Sequence, residues 1–426
     1  VLWHLRRKWF CASIVSEEIH MQTKEKLFRY IENSKKEMIA LQRRLTAIPA
    51  ISPESGGDGE WEKAEMLIQW LREHGLEEIE LYHAPDPRVS SGKRPNIVVT
   101  IPGKRDENRL WIMSHLDIVP PGDESLWAAD PYNMVEKDGR LYGRGVEDNQ
   151  QGLVSSVFAA LAFVKEGLVP ENSIKLLFIA DEETGSTYGI KYLLEEHDLF
   201  APGDRALVPD GGTKDGTMVE IAEKSTLWLE ITTAGKQCHA SRPEQGINAF
   251  LAASELVVQL SKLGTIYDQE NNLFKPPYST FSPTKKKANV PNINTIPGED
   301  VFCFDSRILP EIPVDDVLTT IESSFREIEK KHGVSIRYEI KQRMESKATS
   351  QDDPFVRDVE KHIREVHQVE PEPAGIGGGT VGAYLRNRDI PTVVWSTLDN
   401  MAHAPNEYCV IDNMLVDAKI MALLMA

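Results

Sequence analysis

Four short apolar runs, at residues 96–101, 110–114, 174–180 and 206–208, are bounded by glycine, proline or charge, and stretches of helical spacing at 152–166 and 188–194 separate the later ones. Short runs that are apolar throughout suit strands buried on both faces, and their alternation with helices predicts an α/β unit around a mostly parallel sheet. In such sheets functional side chains gather at the carboxyl ends of the strands. Polar clusters stand at those ends: Ser114-His115-Leu116-Asp117 after one run, Asp181-Glu182-Glu183 after another, and Pro209-Asp210-Gly211-Gly212 after a third. Three strand ends carrying acids and a histidine predict a single pocket.

Helical periodicity precedes this pattern at 21–45 and 60–74. Near Glu223 the pattern shifts: a strand-like run at 226–233, a helix at 246–263, a Pro/Lys-rich stretch at 275–291, a strand at 301–309, a helix at 313–331 and a strand at 335–340. This β-α-β-α-β order predicts a two-layer α+β insert. The α/β pattern resumes after Arg343, with a helix at 354–367, a glycine-rich turn at 375–380, a helix to Arg388 and a strand at 391–396. The expected organisation is therefore one domain over 21–222 and 343–426, interrupted by a second over 223–342. Residues 1–20 hold a basic cluster, Arg6, Arg7 and Lys8, then an apolar stretch too short and interrupted for a secretory signal. Because Met21 opens a helical segment, residues 1–20 are expected to be a disordered or mis-started extension of the reading frame.

The chain carries 48 Lys+Arg against 66 Asp+Glu, a formal net charge of −18. Nucleic-acid backbones are bound by clustered basic residues, so this surplus argues against such a partner. Residues 223–342 contain 14 basic and 16 acidic residues, so the surplus belongs almost wholly to the other domain. Cys11, Cys238, Cys303 and Cys409 lie far apart without a Cys-x-x-Cys pair, which argues against a disulfide scaffold or a thiolate zinc finger and suits a reducing, cytoplasmic setting. No apolar run approaches the roughly 20 residues that span a bilayer.

Taken singly, the polar clusters have bland readings. His115 and Asp117 form a strand-end pair, Gly143-Arg144-Gly145-Val146-Glu147-Asp148 a loop with Asp148 capping the next helix, Asp181–Glu183 a solvated acidic turn, and His403 one of several surface histidines. In conjunction, two histidines and several carboxylates at strand ends are the donor set that borderline divalent metals such as zinc require.

The order and local sequence of six motifs add a resemblance. They are Ser114 to Asp117, Gly143 to Asp148, Asp181 to Gly185, Gln237 to Pro243 with Gly246 and Asn248, Asp305 to Arg307, and His403 to Glu407. In these, from Met21 onward, the chain resembles the metallopeptidase and amidohydrolase family that contains acetylornithine deacetylase, succinyl-diaminopimelate desuccinylase, the aminoacylases, carnosinase-type dipeptidases and glutamate carboxypeptidases. The resemblance implies a zinc exopeptidase-like catalytic domain with an inserted lid and dimerisation domain. It implies two divalent ions, zinc first and cobalt or manganese as alternatives, with His115 and Asp210 on one, Glu183 and His403 on the other, and Asp148 bridging. Asp117 would hold His115, and Glu182 would be the general base for a hydroxide bridging the ions. His239 would donate to the oxyanion from the lid or from a partner subunit, and Arg307 would clamp a substrate carboxylate. Asn294 and the turn with Gly378, Gly379 and Thr380 are weaker candidates for the same substrate end.

Two departures bear on the substrate. The family's deacylases often carry Glu where Asp210 stands, whereas its dipeptidase-like members carry Asp. The turn continues Thr380-Val381-Gly382 where many relatives have Thr-Asp-Ala. The expected activity is hydrolysis of the amide bond of an N-acyl amino acid, of the acetylornithine or succinyl-diaminopimelate kind. The alternatives are cleavage of short peptides and, in another class, a non-catalytic metal-binding relative used for binding or assembly.

Overall fold

A computed structural model describes residues 21–426; the extension expected over residues 1–20 lies outside the described residues. The chain divides into two compact units. The first runs to Ile221 and takes up the chain again at Thr349–Pro373 and Arg388–Ala426; the second comprises Ala222–Ala348 and Ala374–Asn387.

The first unit is built on an eight-stranded mixed sheet in the order Ile79–Pro85, Lys93–Ile101, Asn172–Ile179, Arg105–His115, Arg205–Thr213, Thr392–Thr397, Met218–Glu223, Glu372–Ile376. The four strands from Asn172–Ile179 to Thr392–Thr397 are mutually parallel, and antiparallel pairs flank them on both sides. Burial explains the apolar runs: from Leu110 to His115 every residue is buried, as covering both faces of a parallel sheet requires. The helix Gln150–Glu166 is buried from Gln150 through Phe163, because it packs on the sheet and against the helix Ile411–Met425. The buried Asp417 of the latter helix is fully partnered. Asp417 accepts from Ser396 Oγ at 2.6 Å, Thr397 Oγ1 at 2.7 Å and Gln151 Nε2 at 3.0 Å.

The second unit has a four-stranded antiparallel sheet, ordered Thr280–Lys286, Glu299–Ile308, Ser225–Ala234, Ser335–Met344, with helices Ala249–Leu260 and Val314–His332. Leu227, Leu229 and Ile231 alternate onto one face, the latter two paired with Phe304 and Phe302 across the sheet, and share one apolar core with Leu256, Leu260, Ile321 and Phe325 of the helices. Val314–His332 begins with Asp315 and Asp316 and ends with Lys330, Lys331 and His332, charges that complement its dipole.

The expected β-α-β-α-β order omits one strand of this sheet, and also the short pair Cys238–His239 with Thr295–Ile296. Thr280–Lys286 lies inside the Pro/Lys-rich stretch and pairs with Glu299–Ile308, with a register shift after Pro283. Proline and lysine are tolerated there because the strand is an edge, where they discourage further pairing. The second unit also extends beyond the expected limits of 223 and 342. Ser335–Met344 continues past them, and the glycine-rich turn is tied in by Thr380 to Glu223 and by Lys224 N to the carbonyl of Ile376 at 3.0 Å. Among the described residues no helix is long and apolar enough to cross a membrane.

Candidate metal centre

Arg105–His115 delivers His115 at its carboxyl end, 3% exposed. Its Nδ1 lies 3.0 Å from the backbone carbonyl of Asp117, so this nitrogen donates and Nε2 is left as the ligand atom. His115 Nε2 faces Asp148 Oδ1 at 3.0 Å and Asp210 Oδ1 at 3.7 Å. The buried Asp117 carboxylate accepts the N–H groups of Glu182 and Glu183, each at 3.0 Å. One carboxylate thus sets the backbone of two acids while its own main chain orients a histidine.

Asp210 does not follow its strand, as expected, but lies within Arg205–Thr213. The register with Thr392–Thr397 jumps from the Val394 and Val208 pair to the Ser396 and Gly212 pair, so residues 209–211 leave the ladder and free Asp210 for the pocket. At Gly212 a Cβ would stand 1.8 Å from the Ser396 carbonyl, which excludes any other residue where the ladder resumes. Asn149 Nδ2 then fixes Asp210, donating to its Oδ1 at 2.8 Å and to the Pro209 carbonyl at 2.7 Å.

His403 sits at φ 63°, and its Nε2 lies 3.1 Å from Glu183 Oε2 and 3.2 Å from Asp148 Oδ2. Asp181, Asn400 and Asn406 share the left-handed conformation, which costs a non-glycine residue roughly 1 kcal/mol or more and persists only where other contacts impose it. Those contacts are present. Asp181 accepts from Tyr188 N at 3.0 Å and from Thr184 Oγ1, and its own N–H goes to Glu60, which the buried Arg94 pairs through Nε at 2.6 Å. Glu147 accepts the N–H of Asp399 at 2.8 Å and that of Met401, and Asn406 holds Ala128 N at 2.7 Å and the Leu126 carbonyl at 2.8 Å.

Single donor atoms of His115, Asp148 and Asp210 lie within 4.8 Å of one another, and so do those of Asp148, Glu183 and His403. Asp148 belongs to both groups and turns one oxygen to each imidazole. Mixed nitrogen and carboxylate donors at this spacing fit a pair of divalent cations such as zinc. Glu182 stands beside these groups without belonging to either.

The electrostatics reflect two imidazoles among acids. Burial opposes ionisation of Asp148, but hydrogen bonds from His115 and His403 outweigh it and hold the carboxyl below its ordinary range. Hydrogen bonds to Asp148 and Glu183 lift His403 to about 10, and His115 is raised well above its ordinary value by Asp210, Asp117 and Asp148 against the desolvation of its site. Burial pushes Glu183 up to about 7 and Glu182 well above the usual carboxyl range. In the metal-free protein these neighbours favour the protonated form of both imidazoles, and a ring nitrogen must be free of its proton to bind a cation. Zinc binding near pH 7.5 should release protons, that of His403 among them, and affinity should fall as pH is lowered. Calorimetry in buffers of differing ionisation enthalpy measures this; binding with no proton release would contradict it.

His115, Asp117, Asp148, Glu182, Glu183, Asp210 and His403 thus meet in the first unit. His239, Asn294, Arg307, Gly378, Gly379 and Thr380 belong to the second. His239 is exposed, and its Nδ1 accepts the N–H of Ser241 at 3.2 Å, which puts the proton of the neutral ring on Nε2. Asn294 is exposed, with its carbonyl bonded by Ala240 N at 2.8 Å. Arg307 donates from Nε to Asp305 at 3.0 Å and from Nη1 to the Gly377 carbonyl at 3.0 Å, with Trp228 beneath it. Gly377 and Gly378 lack positive φ, and a Cβ on either would meet nothing closer than 3.8 Å, so neither backbone nor packing demands glycine there.

Three residues that hold the centre together had no role assigned in advance. Glu407, fully buried, accepts the N–H groups of Gly145, Glu147 and Asp148 at 3.0 to 3.2 Å and pairs with Arg144 Nη1 at 2.6 Å. Asn149 and Glu147 serve as described above. Asn149, rather than Asp148, occupies the N-cap position of Gln150–Glu166. Glu407 lies within the His403 to Glu407 motif and Glu147 within Gly143 to Asp148, whereas Asn149 carries no signal beyond a polar residue beside a ligand candidate.

Comparison with known proteins agrees with this geometry. The model of peptidase family M20/M25/M40 matches residues 111–426. An uncharacterized metallohydrolase of Methanocaldococcus jannaschii is 38% identical over 400 residues, covering 90% of this chain and 97% of the relative. Succinyl-diaminopimelate desuccinylase of Nitratiruptor is 25% identical over 377 residues, covering 87% and 94%. Among solved structures, the aminopeptidase PepT of Bacillus cereus shares the fold at a TM-score of 0.75 and 17% identity, over 92% of this chain and 98% of that one. A match over so much of the chain, with the carboxylate and histidine groups that a metal-dependent hydrolase requires, makes this protein a member of peptidase family M20/M25/M40.

Proposed function

We propose that the chain hydrolyses the amide bond of an N-acyl amino acid, of the acetylornithine or succinyl-diaminopimelate kind, and releases the free amino acid. One observation carries this reading: the two donor groups share Asp148, and an unligated carboxyl, Glu182, stands next to Glu183 on a backbone anchored by Asp117. His115 and Asp210 would hold one divalent ion, Glu183 and His403 the other, and Asp148 both; zinc suits this set, with cobalt or manganese as alternatives. Such ions, when bound, acidify water and polarise a carbonyl.

The chain's own residues do the rest. Glu182 takes the proton of the attacking water and passes it to the departing amine. Asp117 keeps His115 and the 182–183 backbone in register, so base and ligands do not drift apart. His239, protonated on Nε2, donates to the developing oxyanion. Arg307 and the turn at 377–380 receive the carboxylate of the amino-acid half. Support for an N-acyl substrate comes from the desuccinylase relative. A second reading, cleavage of short peptides, is favoured by Asp210 in place of Glu and by the fold shared with an aminopeptidase.

The enzyme would work in a reducing, cytoplasmic setting, with Cys238, Cys303 and Cys409 as free thiols, and as a homodimer through the second unit, whose helix Ala249–Leu260 exposes Phe250, Leu251 and Val258. A panel of acetylornithine, succinyl-diaminopimelate and dipeptides, tested with Zn²⁺, Co²⁺ or Mn²⁺, should give turnover with an N-acyl amino acid first. In Arg307→Ala its KM should rise about tenfold or more, the worth of a charge-assisted contact. Dipeptide-only turnover would select the second reading, and an unchanged KM would remove the clamp.

A further inference from the structure

We infer that Glu223 is a positioning residue for the substrate's carboxylate: by gripping Thr380 it fixes the turn at 377–380 in the conformation that receives that group. This rests on the reading above that the turn and Arg307 take the carboxylate. Glu223 is fully buried in the second unit. Its Oε2 accepts the Thr380 N–H at 2.9 Å, and its Oε1 accepts the Thr380 hydroxyl at 2.7 Å and Arg386 Nη1 at 3.1 Å. The Thr380 hydroxyl in turn accepts the N–H of Gly382 at the start of the helix Gly382–Arg386. One carboxylate therefore ties the exit of the turn to the helix that follows it.

The entrance of the turn is tied separately. Lys224 N holds the Ile376 carbonyl at 3.0 Å, and Arg307 Nη1 holds the Gly377 carbonyl at 3.0 Å. Residues 223 and 224 thus grip both ends, and the exposed Gly377, Gly378 and Gly379 lie between them. Three consecutive glycines are the most flexible connection a chain can make, and a carboxylate binding to a loose loop would bear the cost of ordering it. A Cβ on Gly379 would meet only the terminal methyl of the flexible Met344 side chain closely, at 2.2 Å, and Gly377 and Gly378 have nothing nearer than 3.8 Å, so packing alone does not demand the three glycines. A buried ion pair seldom adds stability over an apolar pair of equal size, so the fold alone does not call for Glu223 with Arg386. Pre-organising the turn does. The same grip engages the N–H and hydroxyl of Thr380, which narrows the backbone that receives the carboxylate to residues 377–379 and leaves Thr380 to serve the turn through Glu223.

The test compares an N-acetyl amino acid with its C-terminal carboxamide. Thr380→Val removes the hydroxyl while leaving Glu223 with Arg386. Its KM for the carboxylate substrate should rise roughly tenfold or more, as for a lost hydrogen bond to a charged group, with kcat little changed and the carboxamide unaffected. Thr380→Ser should restore the wild-type preference, and Glu223→Gln should reproduce the Thr380→Val pattern. Because Glu223→Gln strips Arg386 of this carboxylate and can impair folding, the Thr380 pair decides the matter. If wild type discriminates between the substrates and Thr380→Val discriminates equally well, or loses both substrates together, the inference is overturned while the carboxylate reading stands. If wild type hydrolyses both equally, the carboxylate reading fails and takes the inference with it.

Discussion

Replacing Glu182 with alanine should leave two metal ions bound per chain while hydrolysis falls by about three orders of magnitude, the range typical of a lost general acid-base. The two halves of this expectation come from separate observations. Glu182 belongs to neither donor group, so its removal takes no ligand from either ion. Its backbone, not its side chain, is what Asp117 holds, so the Glu183 ligand stays in place. Burial also makes the Glu182 carboxyl reluctant to ionise in the metal-free protein, and its removal relieves the acid cluster of one member. Metal analysis and turnover on the same sample separate the outcomes: retained turnover would strip Glu182 of its role, and loss of metal would make it a ligand.

Replacing Asp148 with alanine should be as damaging by a different route. This carboxylate faces His115 through one oxygen and His403 through the other, so its loss removes a donor from both groups and leaves two imidazoles and two acids without the anion between them. Losing one ligand of a cluster commonly costs more than the 10- to 100-fold lost with an outer-shell partner, so both ions should bind at least 100-fold more weakly, and activity should disappear with them. Competition with a chelating indicator measures this. A variant that lost one ion and kept the other at full affinity would show that Asp148 is not shared.

The strand-end part of the centre is legible because parallel strands buried on both faces are written as uninterrupted apolar runs whose ends face the pocket, whereas Asp148 and His403 come from the family resemblance. His115 and the Asp181–Glu183 turn follow directly from that. Asp210 was found for a partly mistaken reason: its strand continues, and a shift in register rather than a strand end releases it. Such a shift depends on the partner strand, which local sequence does not encode. Thr280–Lys286 was overlooked because the proline and lysines that suit an edge strand also suit a loop. Glu407 and Asn149 were not assigned because their roles depend on contacts between distant segments, Glu407 with Arg144 and Asn149 with Asp210. Glu223 belongs to the same class: a lone acid at a domain boundary gives no sign that it grips a threonine 157 residues away. The roles expected from sequence are those that the family resemblance implies, and the supporting contacts emerge only from the fold.

The central claim is that one carboxylate, Asp148, joins two metal sites of different composition. Anomalous diffraction at the zinc edge from crystals of the zinc-loaded protein tests it most directly. Two peaks are expected, one among His115, Asp148 and Asp210 and one among Asp148, Glu183 and His403, with Glu182 coordinating neither. A single peak, or two peaks with Asp148 bound to only one, would contradict it.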